Sequence, residues 1–334
     1  MSQVRPTDAD ARLALGRLFA PIAADLVAVD RRLEQELRHS DPFIDELAQH
    51  SFRIGGKRLR PALLLLVAQA VGKIGDEHRT LAAVVEMVHT ATLVHDDVLD
   101  DAEVRRHLDT VNARWSNQTS VLLGDYLFTH AFYLASTLDT TFGCRAIGEA
   151  TNTVCEGELR QTASSGNFWL TQNEYLGIIE AKTAELCACC CRLGAHYAGG
   201  DPRIVEALTS YGRKLGMAFQ IVDDLLDLEG EEQTTGKSLG TDLAHRKMTL
   251  PLILLRDHLE KSERSRLQGL YEESDAGHGR LLLDWLDEAG ALQQARQTAE
   301  DFAEQAATEL AGLKESDAKR VLAELARFVV ARNA

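Results

Sequence analysis

EMVHTATLVHDDVLDD, residues 86–101, is an apolar run that ends in four aspartates, at 96, 97, 100 and 101. Its small and apolar residues recur at helical spacing, so the stretch reads as one helix running into its C-terminal end. On that helix Asp96 and Asp100 share a face, with Asp97 beside them. His89 and Leu93 continue the stripe, which puts a basic or polar group about two turns below the acids. Carboxylates crowded in this way repel one another unless something cationic sits among them. Hard divalent ions such as Mg²⁺ take oxygen ligands and complete their coordination with water and phosphate.

A single acidic run is ordinarily the solvated end of a helix. This one recurs. FQIVDDLLDLEG, residues 219–230, places Asp223, Asp224 and Asp227 at the same i, i+1, i+4 spacing, with Gln220 on the same face. Two D-D-x-x-D clusters, each ending an otherwise apolar helical run, are poorly explained as solvated surface. Neither has the D-x-[DN]-x-[DN]-G-x₅-E spacing of a calcium loop. The pair reads as two facing acidic rims that hold several Mg²⁺ against a diphosphate. Metal there would neutralise charge as a carbon–oxygen bond to that leaving group breaks.

Basic residues fall at loops and helix starts. GGKRLRP (55–61) offers Lys57, Arg58 and Arg60 beside two glycines that let backbone approach an anion. Arg105 and Arg106 follow the first acidic cluster, Lys182 and Thr183 sit together in EAKTAE, and Lys237 and Lys247 follow the second cluster. Taken singly, each is an ordinary surface charge. Beside the aspartates they mark a second, metal-free anion site.

Composition narrows the class. The 334-residue chain has 36 Lys and Arg against 51 Asp and Glu, a net charge of −15, which argues against nucleic acid as a partner. Small anionic substrates remain compatible, because basic clusters can coexist with an acidic whole. A hydrophobic content of 45% supports a substantial core. The N-terminal residues lack a secretory h-region. PALLLLVAQAVG (61–72), the longest uncharged apolar stretch, is too short to cross a bilayer. The six cysteines include CACCC at 187–191, which lacks paired C-x-x-C spacing and reads as small buried hydrophobes in a helix. Reduced thiols point to a cytoplasmic protein.

Only six prolines interrupt the chain, and apolar residues recur at three and four positions, as in Leu63, Leu66, Val67 and Ala70, with Leu122, Leu127 and Phe128 in a further apolar segment. Strand patterns are scarce. The sequence predicts an all-α fold of about ten to fourteen helices, in one domain over 1–334. Loops are expected at 53–58, 72–78, 103–112, 163–173 and 198–202, and 229–242 is a polar lid candidate. From about 283 the sequence is amphipathic and charged, as suits peripheral helices.

GGKRLRP, EMVHTATLVHDDVLDDAEVRR, LLGDYLF, EGELRQ, EAKTAEL, GMAFQIVDDLLDLEG, TGKSLGTDL and KMTLP run in order across roughly residues 50–255. In this the chain resembles the trans-type isoprenyl (polyprenyl) diphosphate synthases, most closely their medium- and long-chain, octaprenyl-type members. The resemblance implies an isoprenoid synthase-type helical bundle around a deep central cavity, with a catalytic core at about 50–255, and a homodimer. It implies that Asp96, Asp97, Asp100, Asp223, Asp224 and Asp227 hold Mg²⁺, about three ions per site, against an allylic diphosphate. Arg105, Lys182, Thr183, Gln220, Lys237 and Lys247 would line the same side. Lys57, Arg60, His89 and Arg106 would bind isopentenyl diphosphate.

The implied reaction ionises the allylic diphosphate, lets the isopentenyl double bond attack the carbocation, and loses a proton. It needs no Ser, Cys or His nucleophile, and the chain offers no convincing constellation of that kind. Two positions depart from the family pattern. His107 and Arg246 stand where glycine is common.

The resemblance also makes product length a matter of the residues below Asp96. Ala91 and Thr92 are small, so neither should block a growing chain, while Phe128 and Phe132 on the opposing helix could form a deeper floor or simply pack the core. Products of roughly thirty to forty carbons are expected, with geranylgeranyl diphosphate synthesis as the competitor. A class I terpene cyclase lacks the second D-D-x-x-D and needs no GGKRLRP site. A non-catalytic regulatory subunit could lose acidic ligands, and here all six are present. A lipid-like product would bring peripheral membrane contact at its release.

Overall fold

The computed structural model describes residues 15–53, 56–229, 241–273 and 279–331. Fourteen helices of eight residues or more lie among them. They are α1 (Ala23–Glu36), α2 (Pro42–Arg53), α3 (Leu59–Val71), α4 (Asp76–Leu99), α5 (Asn117–Ser136), α6 (Phe142–Ser164) and α7 (Gln172–Ile179). After a π-helical turn at Glu180–Ala184 come α8 (Glu185–Tyr197), α9 (Pro202–Glu229), α10 (Leu250–His258), α11 (Lys261–Glu273), α12 (Gly279–Glu288), α13 (Ala291–Glu309) and α14 (Asp317–Ala331). The fold is all-α, as the periodicity predicts.

Two helices carry the acids. In α4 the first turn bears Asp76 and Glu77, which suits the positive end of a helix dipole. The helix stops where Asp100 N–H closes on the Asp96 carbonyl at 2.8 Å and Asp101 turns left-handed at φ 47. Its carboxylates therefore collect at the negative end of the dipole, where they cost most without a cation. On α9, described as far as Glu229, Asp223, Asp224 and Asp227 likewise stand in the last two turns.

α9 also joins two apolar cores. Leu208, Tyr211 and Leu215 belong to a core shared with α3, α4, α5 and α8, whereas Ile221, Val222 and Leu225 belong to one shared with α7, α10 and α13. The four cysteines of 187–191 are buried on α8, and burial pushes the Cys189 thiol up to about 12. They pack as small hydrophobes, as read from the sequence.

Several boundaries differ from expectation. The loop at 72–78 is shorter, because α4 already begins at Asp76. Residues 103–112 fold into a hairpin of β1 (Val104–Arg105) and β2 (Leu108–Asp109), registered Val104 to Asp109 and Arg105 to Leu108. Leu122 does not join Leu127 in the core but is 60% exposed. The C-terminal helices are not a peripheral layer. α13 packs along α9 through Ala295, Ala299, Ala303 and Ala306, and α14 packs on α3 and α13 while Tyr211 donates to the Leu322 carbonyl at 2.7 Å. Small residues let these helices approach closely, a feature that an amphipathic pattern alone does not reveal. Most of the lid candidate, residues 230–240, lies outside the described residues.

Candidate active site

At the end of α4, Asp96 is half-buried, and burial pushes its carboxyl up to about 6. Lys182 and Arg105 work against that rise, while Glu158 and Asp100 add to it. Asp97 turns inward, is 2% exposed, and accepts from Arg105 Nε at 2.7 Å. Asp100 accepts from Lys247 Nζ at 3.2 Å.

At the end of α9 the middle acid again turns inward. Asp224 is buried and takes a hydrogen bond on each oxygen, from the Tyr175 hydroxyl at 2.6 Å and from Gln220 Nε2 at 2.8 Å. Gln220 in turn accepts from the Thr183 hydroxyl at 2.8 Å. Burial, then the nearby Asp242, raises the Asp224 carboxyl well above the usual range. Asp227 Oδ2 accepts from the Asp242 backbone N–H at 3.1 Å. Lys247 lies 3.8 Å from the Asp242 carboxylate while it holds Asp100, so one lysine links the acidic end of α4 to Asp242, whose backbone N–H donates to Asp227 of α9.

Lys182 and Thr183 sit on the π-helical turn, which two glycines let into the site. A Cβ on Gly157 of α6 would fall 2.5 Å from Lys182 N, and one on Gly216 of α9 would fall 2.6 Å from Ala184 Cα. The turn is thus gripped between two helices, and such π-helical insertions recur at functional sites. From it Lys182 reaches Glu158 at 2.5 Å.

The candidates for a second anion site gather where α3 begins. Arg60 Nη1 donates to His89 Nε2 at 3.0 Å. Burial lowers the His89 pKa well below its ordinary value, as do the guanidiniums of Arg60, Arg106, Arg105 and Arg58. His89 is therefore neutral and serves as a hydrogen-bonding group rather than a further cation. The Arg106 guanidinium lies over Gly56, where a Cβ would come within 2.9 Å of it. Lys57 is exposed on the same loop. A small cleft is lined by Gly56, Glu86, His89, Leu93, Asp97 and Arg105.

The structure thus brings together Asp96, Asp97 and Asp100 with Arg105, Lys182 and Lys247, and Asp224 with Gln220 and Thr183. It separately gathers Arg60, His89 and Arg106. Lys237 lies outside the described residues. Of the candidate length-setting residues, Ala91 is fully buried and Thr92 half-buried, with the Thr92 hydroxyl donating to the His89 carbonyl at 2.8 Å. Phe128 and Phe132 are partly buried against the first core. Sequence reasoning missed Tyr175, Glu158 and Asp242. Glu158 stands in EGELRQ and could have been weighed as a partner for Lys182. Tyr175 carries no local signal, because its partner lies 49 residues away.

The donor set tests the metal reading. Asp96, Asp100, Asp223 and Asp227 offer carboxylate oxygens only, which suits a hard ion that also takes phosphate and water. Lysine ammonium groups already stand among them, as this density of negative charge requires. Among the described residues no three His, Cys, Asp or Glu side chains converge closely enough to hold an ion by themselves. No described helix is long and apolar enough to cross a membrane.

The chain is 36% identical to the octaprenyl diphosphate synthase of Escherichia coli over 315 residues, 93% of this chain and 97% of that one. A decaprenyl diphosphate synthase from Rhodobacter capsulatus superposes with a TM-score of 0.90 at 36% identity, covering 95% of this chain and 99% of that one. A polyprenyl synthase from Caulobacter crescentus, complexed with calcium and isoprenyl diphosphate, superposes with a TM-score of 0.90 at 38% identity, over 96% and 98%. Residues 41–282 match the family described as Polyprenyl synthetase. The acidic helix ends and the basic loop lie inside that match, and the chain belongs to the polyprenyl synthetase family.

Proposed function

We propose that this prenyltransferase condenses isopentenyl diphosphate head-to-tail with an allylic diphosphate and makes an all-trans polyprenyl diphosphate of roughly forty carbons. The observation that carries the reading is the link between the two acidic clusters through Lys247 and Asp242: Lys247 contacts Asp100 at 3.2 Å and approaches Asp242 at 3.8 Å, and the Asp242 backbone N–H donates to Asp227 at 3.1 Å. The length follows the octaprenyl diphosphate synthase of Escherichia coli, a relative at 36% identity, and other relatives are long-chain heptaprenyl, nonaprenyl and decaprenyl synthases. A single catalytic domain, a homodimer and a cytoplasmic site of action belong to the same proposal.

Mg²⁺ held by Asp96, Asp100, Asp223 and Asp227, about three ions in all, would neutralise the diphosphate as it leaves. Lys182, Lys247 and Arg105 add fixed positive charge on the same side. Lys237 joins them in this reading. Asp97 and Asp224 act from behind, the first orienting Arg105 and the second orienting Gln220 and, through it, Thr183. Lys57, Arg60 and Arg106 clamp the isopentenyl diphosphate, and neutral His89 supports Arg60 by accepting its N–H. No protein nucleophile is called on, in keeping with buried cysteine thiols whose pKa values rise. The proton lost after condensation goes to the departing diphosphate.

Mass spectrometry of products from purified protein tests this. Isopentenyl and farnesyl diphosphates with Mg²⁺ should give a ladder ending near one length, and EDTA should abolish it. No elongation with any allylic primer would sink the reading in favour of a subunit that needs a partner. Thr92→Phe sharpens the length assignment. Thr92 shares the helix face of His89 and Asp96 and is half-buried, so a large ring there should shorten the product. Ala91→Phe instead overfills a packed core and should cost about 1–3 kcal/mol of stability.

A further inference from the structure

Lys57 and Arg60 of GGKRLRP are assigned to the isopentenyl diphosphate, whereas Arg58 between them has no role in the chemistry. Its backbone is left-handed, at φ 52, immediately before α3. An arginine holds that conformation only where its surroundings over-determine it. Here they do. Arg58 Nη1 donates to Glu86 at 2.6 Å, Nε donates to Asp30 at 2.9 Å, and the guanidinium lies 4.2 Å from the centroid of the Phe52 ring. One side chain therefore ties α1, the end of α2, the start of α3 and the middle of α4.

Glu86 is 2% exposed and stands three residues before His89 on α4. Arg58–Glu86 and Arg60–His89 are thus neighbouring links between the same two elements, the second lying within the anion site. Glu86 and His89 line one pocket with Gly56. We propose that Arg58 is a positioning residue for isopentenyl diphosphate: clamped by Glu86, Asp30 and Phe52, it fixes the left-handed turn that aims Lys57 and Arg60 at the diphosphate. The proposal rests on the reading of Lys57, Arg60 and His89 as that site.

A purely structural role would lower the amount of competent enzyme, or both affinities together. A positioning role moves one substrate alone. Steady-state kinetics on the full chain with Mg²⁺, isopentenyl diphosphate and farnesyl diphosphate separates the two. Arg58→Gly, which keeps the turn free to be left-handed but removes the clamp, should raise KM for isopentenyl diphosphate about tenfold. KM for farnesyl diphosphate and kcat should stay within about twofold.

The double variant Arg58→Met with Glu86→Met removes both charges, so that no carboxylate is left buried without a counter-ion. It should show the same selective rise with a normal unfolding transition. Equal rises in both KM values would overturn the proposal. So would a normal KM in Arg58→Gly beside a raised one in Arg58→Ala, since the backbone turn alone would then suffice. Arg60→Ala separates the two levels of the argument. If it leaves KM for isopentenyl diphosphate unchanged, the site assignment fails and this proposal with it; if it raises that KM while the Arg58 variants do not, only the role of Arg58 falls.

Discussion

The ends of α4 and α9 carry the same D-D-x-x-D spacing, and both bury the middle carboxylate. They satisfy it by opposite means. Asp97 is matched by a cation, Arg105, at 2.7 Å. Asp224 is matched by two neutral donors, Tyr175 and Gln220, at 2.6 and 2.8 Å. In each cluster the middle acid faces protein, which leaves the first and last acids for whatever lies between the helix ends. One spacing therefore encodes two tasks, an inward anchor and an outward pair, and the anchor's partner sets its electrostatics. At α4 the anchor holds an arginine beside the outward acids. At α9 it orders a hydrogen-bonded chain through Gln220 to Thr183.

The largest expected effect falls on the outward acids. Asp96→Ala should lower kcat by about a thousandfold or more with an unchanged helical circular dichroism spectrum, because it removes an interaction made chiefly as the leaving group gains charge. Near-normal turnover would break the division between outward and inward acids. Stability of the inward acids tests the contrast directly. Asp97→Asn leaves the Arg105 guanidinium, with a side chain only 17% exposed, without its counter-charge, a loss of about 3 kcal/mol. Asp224→Asn keeps an acceptor for Tyr175 and should cost about 1 kcal/mol. Chemical denaturation of the two variants checks the order, and a larger loss at Asp224 would reverse the assignment of ionic and neutral anchors.

A third test uses pH. Burial pushes the Asp96 carboxyl up to about 6 from a reference of 3.8. A raised carboxyl binds its proton more tightly in the folded chain, so its stabilising contribution is present below about pH 4 and is lost as pH rises through about 6. The full difference amounts to about 3 kcal/mol. In EDTA the wild-type protein should gain stability relative to Asp96→Asn as pH falls from 7 to 5. Parallel melting curves for the two proteins over that range would show that Asp96 is not held above its ordinary value.

The acidic and basic motifs were legible in the sequence because their geometry is local: i, i+1, i+4 on one helix fixes which carboxylates share a face. The all-α class was legible for the same reason, through apolar spacing. What holds the motifs together was not. Tyr175 meets Asp224, Lys247 meets Asp100 and Arg58 meets Glu86 across 49, 147 and 28 residues, and no periodicity reports such pairs. The built-in C-terminal helices escaped notice because α13 packs through alanines, which an amphipathic reading scores weakly. Leu122 is exposed because five residues separate it from Leu127, a rotation of about 140° that puts the two on different faces of the helix.

The smallest effect concerns the turns that follow each cluster, and here the two regions converge. After the first, Arg106 and His107 form the tip of the hairpin with φ 52 and 65; after the second, Arg246 stands at φ 51. Both positions where the resemblance leads one to expect glycine are therefore left-handed, which gives that glycine its physical reason. A side chain with a Cβ pays about 1 kcal/mol for the conformation, partly offset because glycine leaves the unfolded chain freer. The Arg246 carbonyl accepts from Gly166 N–H at 3.0 Å and from the Tyr271 hydroxyl; these are backbone-directed bonds that glycine would keep. His107→Gly and Arg246→Gly should therefore each stabilise the protein by about 0.5 kcal/mol. The two changes should add when combined, since the turns belong to different clusters. Loss of stability in either variant would mean that the His107 or Arg246 side chain, rather than the surrounding hydrogen bonds, holds its turn in place.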